Sequence, residues 1–144
     1  MAKRDVLRVA VAGTSFAGAV QIPVFQSHNR MRVVAVSSGR AEHARSVAQQ
    51  HQVPGAYTNF EEMLDEEKPD LVSIATPTEL HCSMALAATE RGIHVLCEKP
   101  FAMNAEEARR METSAMKAGV VAMVDFEFRY LPARTYLADL LHQN

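Results

Sequence analysis

Apolar residues run almost unbroken over positions 6–12, with Leu7, Val9 and Val11 among small neighbours, and stop at Gly13. A short Val-rich run closed by a turn residue reads as a strand buried on both faces. From about Ala17 to His28 the apolar positions take helical spacing, and Pro23 is expected to kink or break that helix. The alternation then repeats. Residues 32–37 read as a strand and 41–50 as a helix, with Ala41, Ala44, Val47 and Ala48 on one stripe. Residues 61–64 suggest a short helix, 70–75 a strand ended by Thr76-Pro77, and 79–91 a helix stopped by Gly92. A strand over 93–97 follows, then a helix over 105–118 with Asn104 as its N-cap and Gly119 as its stop. Residues 120–124 read as another strand, and 131–142 as a last helix with Pro132 in its first turn. Such alternation predicts the α/β class: a doubly wound parallel sheet between two layers of helices, αβα.

Candidate chemistry falls at the C-terminal ends of the strands, where open α/β sheets bind ligands. A dinucleotide pyrophosphate needs a tight turn, close backbone approach and free N–H groups at a helix start. Gly13 and Gly18 supply the outer glycines of G-x-G-x-x-G, with Thr14, Ser15 and Phe16 between them and Ser15 at the middle glycine position. Serine carries a Cβ that restricts approach, and a hydroxyl that can donate to a phosphate oxygen. The signal suits a Rossmann pyrophosphate loop; the plainer alternative is an ordinary glycine-containing strand–helix turn. After the second strand comes Ser37-Ser38-Gly39-Arg40, with no carboxylate before Glu42. A carboxylate there would accept from the ribose 2′-OH of NAD, whereas hydroxyls and a guanidinium suit a 2′-phosphate. NADP is therefore preferred over NAD, the alternative being a merely solvated Arg40. Thr76, Pro77 and His81 follow one later strand, and Glu98-Lys99-Pro100 follows the next. Lys99 can donate to an oxygen that gains charge during hydride transfer, and Glu98 can accept from ribose hydroxyls. Pro100 suits a cis bond that aims Lys99. In isolation, Glu98 and Lys99 read equally as a solvated charge pair.

A length of 144 residues suits one domain, and a net charge of -2 gives no electrostatic reason to expect nucleic acid or an anionic membrane as partner. The basic pair Lys3-Arg4 is too small to change this. Cys82 and Cys97 form no CxxC and read as buried or half-buried thiols of a reducing compartment. His28, His43, His51 and His142 show no metal spacing and are expected at the surface, and no metal site is predicted. The methionines read as core filling. No secretory or membrane-spanning run is evident, so the cytoplasm is expected.

In order along the chain, Gly13-Thr14-Ser15-Phe16-Ala17-Gly18, Ala75-Thr76-Pro77 with His81, Val95-Leu96-Cys97-Glu98-Lys99-Pro100 and Phe128-Arg129-Tyr130-Leu131-Pro132 resemble the Gfo/Idh/MocA family of oxidoreductases. The resemblance implies a nicotinamide-binding Rossmann domain over residues 1–130. It implies that 131–144 leads into a second α/β domain outside this chain, and that the protein is more than twice as long. It assigns Gly13, Thr14, Ser15, Phe16 and Gly18 to the pyrophosphate loop, and Ser37, Ser38 and Arg40 to the adenosine ribose. Thr76, Pro77 and His81 would border the nicotinamide, Glu98 would bind its ribose, Lys99 would be catalytic, and Arg129 would lie near the domain crossing. The substrate implied is sugar- or polyol-like, and the assembly a homo-oligomer. Further catalytic groups, an Asp and a His, would belong to the second domain, so this chain is expected to bind cofactor better than it turns over substrate. A non-catalytic, NADP-binding sensor module is the alternative from another functional class.

Overall fold

The computed structural model describes residues 5–142; residues 1–4, with the Lys3-Arg4 pair, and 143–144, with the outer ends of the two expected segments, lie outside them. Six strands form one sheet: β1 (Leu7–Ala12), β2 (Met31–Ser37), β3 (Gly55–Tyr57), β4 (Leu71–Ile74), β5 (His94–Cys97) and β6 (Ala122–Val124). Their order is β3-β2-β1-β4-β5-β6 and every neighbouring pair is parallel. Parallel neighbours need crossovers. These are α1, which is π-helical over Ala17–Gln21 and α-helical over Ile22–Ser27, then α2 (Ala41–Gln50), α3 (Phe60–Glu67), α4 (His81–Glu90) and α5 (Ala105–Ala118). A 3₁₀ turn over Glu127–Tyr130 leads into α6 (Pro132–His142).

The near-continuous apolar strands at the centre of the sheet, β1, β2, β4 and β5, are covered on both sides, whereas β6 is exposed along Ala122 and Met123. Val9, Val11, Val33 and Val36 pack beneath Ile22 and Phe25 of α1 and Ala48 of α2. Ala10, Val34, Ile74, Val95 and Cys97 pack on the other face against Met63 and Leu64 of α3, Ala85 of α4 and Met111 of α5. The β1–β2 register shifts between Val9 and Ala10, which lets consecutive Val34 and Ala35 join the same cluster. The doubly wound, three-layer expectation therefore holds.

Several boundaries differ from the sequence pattern. β3 was not foreshadowed; it is a three-residue edge strand whose ladder exists through pairing with β2. Helix α3 starts at Phe60 because Asn59 caps it, its side chain accepting from the N–H groups of Glu61 and Glu62, and it runs to Glu67, where Lys68 turns left-handed and ends it. Strand β6 is shorter than the apolar run at 120–124 suggests. Pro23 does not break α1. The Ile22 N–H donates to the Ala17 carbonyl, five residues back, so the turn widens just before a residue that has no N–H and whose ring crowds the preceding turn.

Candidate functional site

The strand order reverses between β1 and β4, so their C-terminal ends diverge and leave a crevice. A cleft of about 260 Å³ opens there. Gly13, Thr14 and Ser15 after β1, Ser37 and Ser38 after β2, and Thr76 and Pro77 after β4 line it. A larger groove of about 600 Å³ lies elsewhere, between α5 and β6, and is walled mainly by small apolar side chains such as Ala105, Ala108 and Ala122. Volume alone would select the groove; the convergence of strand ends, hydroxyls and free amides selects the cleft.

Gly13 has φ +110°, and a Cβ built on it would lie 2.2 Å from the Ala75 carbonyl oxygen. Glycine is thus required because the β1–α1 turn crosses directly over the end of β4. Gly18 is buried, and a Cβ there would sit 3.4 Å from Val47 Cγ2, so this position sets the close approach of α1 to α2. Between them, Ser15 and Phe16 are exposed. The Gly13 N–H donates to the Ser37 carbonyl at 2.9 Å, while among the described residues no backbone group takes up the N–H of Thr14 or Ser15. The turn is therefore open, not plugged, and presents unpaired amides at a helix start.

At the end of β2, Ser37 is buried and Gly39 and Arg40 are exposed. The Arg40 N–H donates to Ser38 Oγ at 3.3 Å, which holds the loop while leaving the hydroxyl proton and the guanidinium available. Among the described residues no carboxylate lines the cleft. Thr58 and Phe60 also border it, carried there by β3 and the start of α3. Sequence reasoning missed both, because it missed the strand that brings them in.

Beyond β4 and β5 the arrangement is a buried polar network. His81 is fully buried, with Nε2 2.9 Å from the Thr76 carbonyl oxygen and Nδ1 3.0 Å from that of Pro100. The ring joins the two loops, so its influence on the cleft runs through their backbones. The Lys99–Pro100 peptide is cis, as expected. Lys99 is exposed whereas Glu98 is only 8 % exposed, and the two form no ion pair among the described residues. The solvated-pair alternative is therefore excluded. Glu98 Oε1 accepts from Gln21 Nε2 at 3.0 Å and Oε2 accepts from the Lys99 N–H at 3.2 Å. Burial raises the Glu98 pKa above the ordinary carboxylate value; the Lys99 N–H opposes the shift, and Asp125 and Glu127 add to it.

Arg129 is exposed, with its guanidinium 5.7 Å from the Tyr130 ring, and does not line the cleft. His28, His43 and His142 are exposed as expected; His51 is half-buried, its Nε2 without a hydrogen-bond partner. Both cysteines are free and buried. Among the described residues no group of His, Cys, Asp and Glu side chains could hold a metal ion, and no helix is long and apolar enough to cross a membrane.

Comparison with known proteins agrees with this fold. The Gfo/Idh/MocA model, described as an oxidoreductase family with an NAD-binding Rossmann fold, matches residues 7–126. An uncharacterised oxidoreductase of Synechocystis sp. is 39% identical over 143 residues, covering 99% of this chain and 38% of the relative. The scyllo-inositol 2-dehydrogenase (NADP(+)) of Bacillus subtilis is 34% identical over 137 residues, covering 95% of this chain and 42% of the relative. The crystal structure of a 3-ketoreductase of Actinomadura kijaniata in complex with NADP superposes with a TM-score of 0.88 at 26% identity, over 96% of this chain and 44% of that one. The chain thus spans about two fifths of the length of these relatives.

Proposed function

The chain belongs to the Gfo/Idh/MocA oxidoreductases and forms their NAD-binding Rossmann domain, and from this premise we propose that the protein moves hydride between a nicotinamide dinucleotide and a sugar- or polyol-like substrate. The observation that carries the reading is the open β1–α1 turn. Gly13 passes over β4 where no side chain fits, and the next amides face a cleft lined by hydroxyls. That is the shape and polarity a diphosphate needs.

Thr14, Ser15 and Phe16 follow Gly13 around the pyrophosphate, and Gly18 lets α1 settle on α2. Ser37, Ser38 and Arg40 meet the adenosine ribose. Their chemistry, with no carboxylate among the described residues that line the cleft, favours a 2′-phosphate and hence NADP. Thr76 and Pro77 border the nicotinamide, and His81 fixes the loops that carry it. Glu98 accepts from ribose hydroxyls. Lys99, exposed beyond the cleft, holds a proton near the reacting oxygen of the substrate. When bound, the nicotinamide supplies the hydride donor or acceptor. The scyllo-inositol dehydrogenase relative supports a polyol-like substrate. This chain alone binds cofactor better than it turns over substrate.

Calorimetric titration of the chain with NADPH and NADH tests the cofactor reading. NADPH should bind more tightly, and Arg40→Ala should weaken NADPH by roughly tenfold, the scale of one charge-assisted contact. NADH should change by less than about twofold, because it lacks the 2′-phosphate that would pair with the guanidinium. Equal affinities that Arg40→Ala leaves untouched would remove the NADP preference. No binding of either would remove the cofactor.

A further inference from the structure

Gln21 lies in the π-helical turn of α1, on the helix that begins at the pyrophosphate loop, yet its side chain points into the sheet and is only 5 % exposed. Its amide is fully engaged. The oxygen accepts from Ser73 Oγ at 2.9 Å, and Ser73, on β4, is itself completely buried. The nitrogen donates to Glu98 Oε1 at 3.0 Å and to Asp125 Oδ2 at 3.3 Å. Two carboxylates on one side and a hydroxyl on the other admit one amide orientation, because only the NH₂ end can donate twice. Gln21 thereby joins the helix of the diphosphate half of the cleft to the ends of β5 and β6.

We infer that Gln21 is a positioning residue for the nicotinamide half of the cofactor site: a neutral double donor that holds Glu98 in the orientation from which its carboxylate meets the ribose. This rests on the cofactor reading above. The choice of side chain follows from charge. Glu98 stands near Asp125 and Glu127, with the Lys99 N–H as its other donor. Without a donor between them, Glu98 and Asp125 would repel, and one would swing away or take up a proton. An ammonium at position 21 would pair with Glu98 and compete with the ribose for it; an amide satisfies one carboxylate oxygen and adds no charge. The widened turn ahead of Pro23 sets the direction of the side chain, and Ser73 sets its rotation. A polar residue on an otherwise apolar helix face, Ala17, Gln21, Ile22 and Phe25, meets a lone serine in the apolar run of β4.

The test compares Gln21→Met, which keeps length and volume but cannot donate, with the wild-type chain. Titrations use the tighter-binding of NADPH and NADH and its adenosine fragment, 2′,5′-ADP or ADP, with melting temperature followed in parallel. The dinucleotide should weaken roughly tenfold, since a hydrogen bond to a charged group is at stake, and the fragment less than about twofold. Equal weakening of both, or no change in either, would overturn the inference, the first assigning Gln21 a merely structural role. Should Gln21→Met fail to fold, Ser73→Ala, which frees the amide to rotate, carries the same prediction at roughly threefold and fails by the same criteria. A wild-type chain that binds neither dinucleotide would instead bring down the cofactor reading, and this inference with it. One that binds the dinucleotide no tighter than its fragment would leave Gln21 nothing to position and overturn the inference alone.

Discussion

At the scale of single residues, Glu98 and its neighbour Cys97 show how burial divides function from packing. The Cys97 thiol is fully buried and its pKa is pushed up to about 12, first by burial and then by the Glu98 charge. It stays a neutral packing group through the physiological range. Glu98 is also raised by burial, but it keeps two donors, Gln21 Nε2 and the Lys99 N–H. A carboxyl whose pKa is higher folded than unfolded binds more protons in the native state. Its contribution to stability is complete below the unfolded value, about 4.3, and is lost as pH rises through the folded value. Wild type should therefore lose stability relative to Glu98→Gln as pH is raised from about 4 to 7, measured by urea unfolding across that window. A difference that stays flat would contradict a raised pKa, and one that grows in favour of wild type would show that the native site favours the ionised form. The positions of Gly13, Gly18, Glu98 and Lys99 around strand ends were legible from sequence because the pattern that places them is local. Gln21 and Asp125 were not, since their roles arise from residues 77 and 104 positions apart meeting across the sheet. The clue available was Ser73, a polar residue inside Leu-Val-Ser-Ile, which a doubly covered strand does not bury without a partner.

At the scale of elements, periodicity located every crossover helix and each strand except β3. Periods are properties of a window, and β3 offers only Gly-Ala-Tyr. Its identity comes from Ala35, Val36 and Ser37 pairing with it, and from a packed neighbourhood in which a Cβ on Gly55 would stand 2.8 Å from the Tyr57 ring. Helix ends were more legible where side chains close them. Asn104 Oδ1 accepts from the Glu107 N–H at 2.9 Å, and Glu107 Oε2 accepts in return from the Met103 N–H at 3.0 Å. Arg91, at the end of α4, bridges to Asp65 at 2.7 Å and to Glu61 at 3.0 Å on α3. That contact holds Asp65 below its ordinary pKa. The π-helical turn of α1 was visible only as a proline in an awkward place. The sequence pattern suggests a kink; the fold instead absorbs Pro23 by widening one turn, and uses the widened turn to aim Gln21 inward.

At the scale of the molecule, the sheet is covered on both faces except at its β6 edge, and α6 lies outside the core. No residue of α6 is buried, and Tyr136, Leu137 and Leu141 are each more than half exposed. Arg134 stacks 4.9 Å from the Phe128 ring, which ties the helix to the preceding turn rather than to the core. Val120, Ala122 and Val124 line the apolar groove between α5 and β6, and the intervening Val121 and Met123 are exposed. Exposed apolar side chains in this number favour association in water. The chain by itself should form dimers or larger species as its concentration rises, read by light scattering coupled to gel filtration, and charged substitutions at Leu137 and Leu141 should reverse this. A clean monomer at millimolar concentration would contradict it. None of this touches the cleft, which lies where β1 and β4 part. The most direct measurement is a ¹H–¹⁵N NMR titration of the chain with NADPH. The account predicts saturable shifts at the amides of Gly13, Thr14, Ser15 and Phe16, following one binding curve with those of Ser38 and Thr76. Saturable binding that leaves the β1–α1 amides unmoved, or no binding at all, would contradict it.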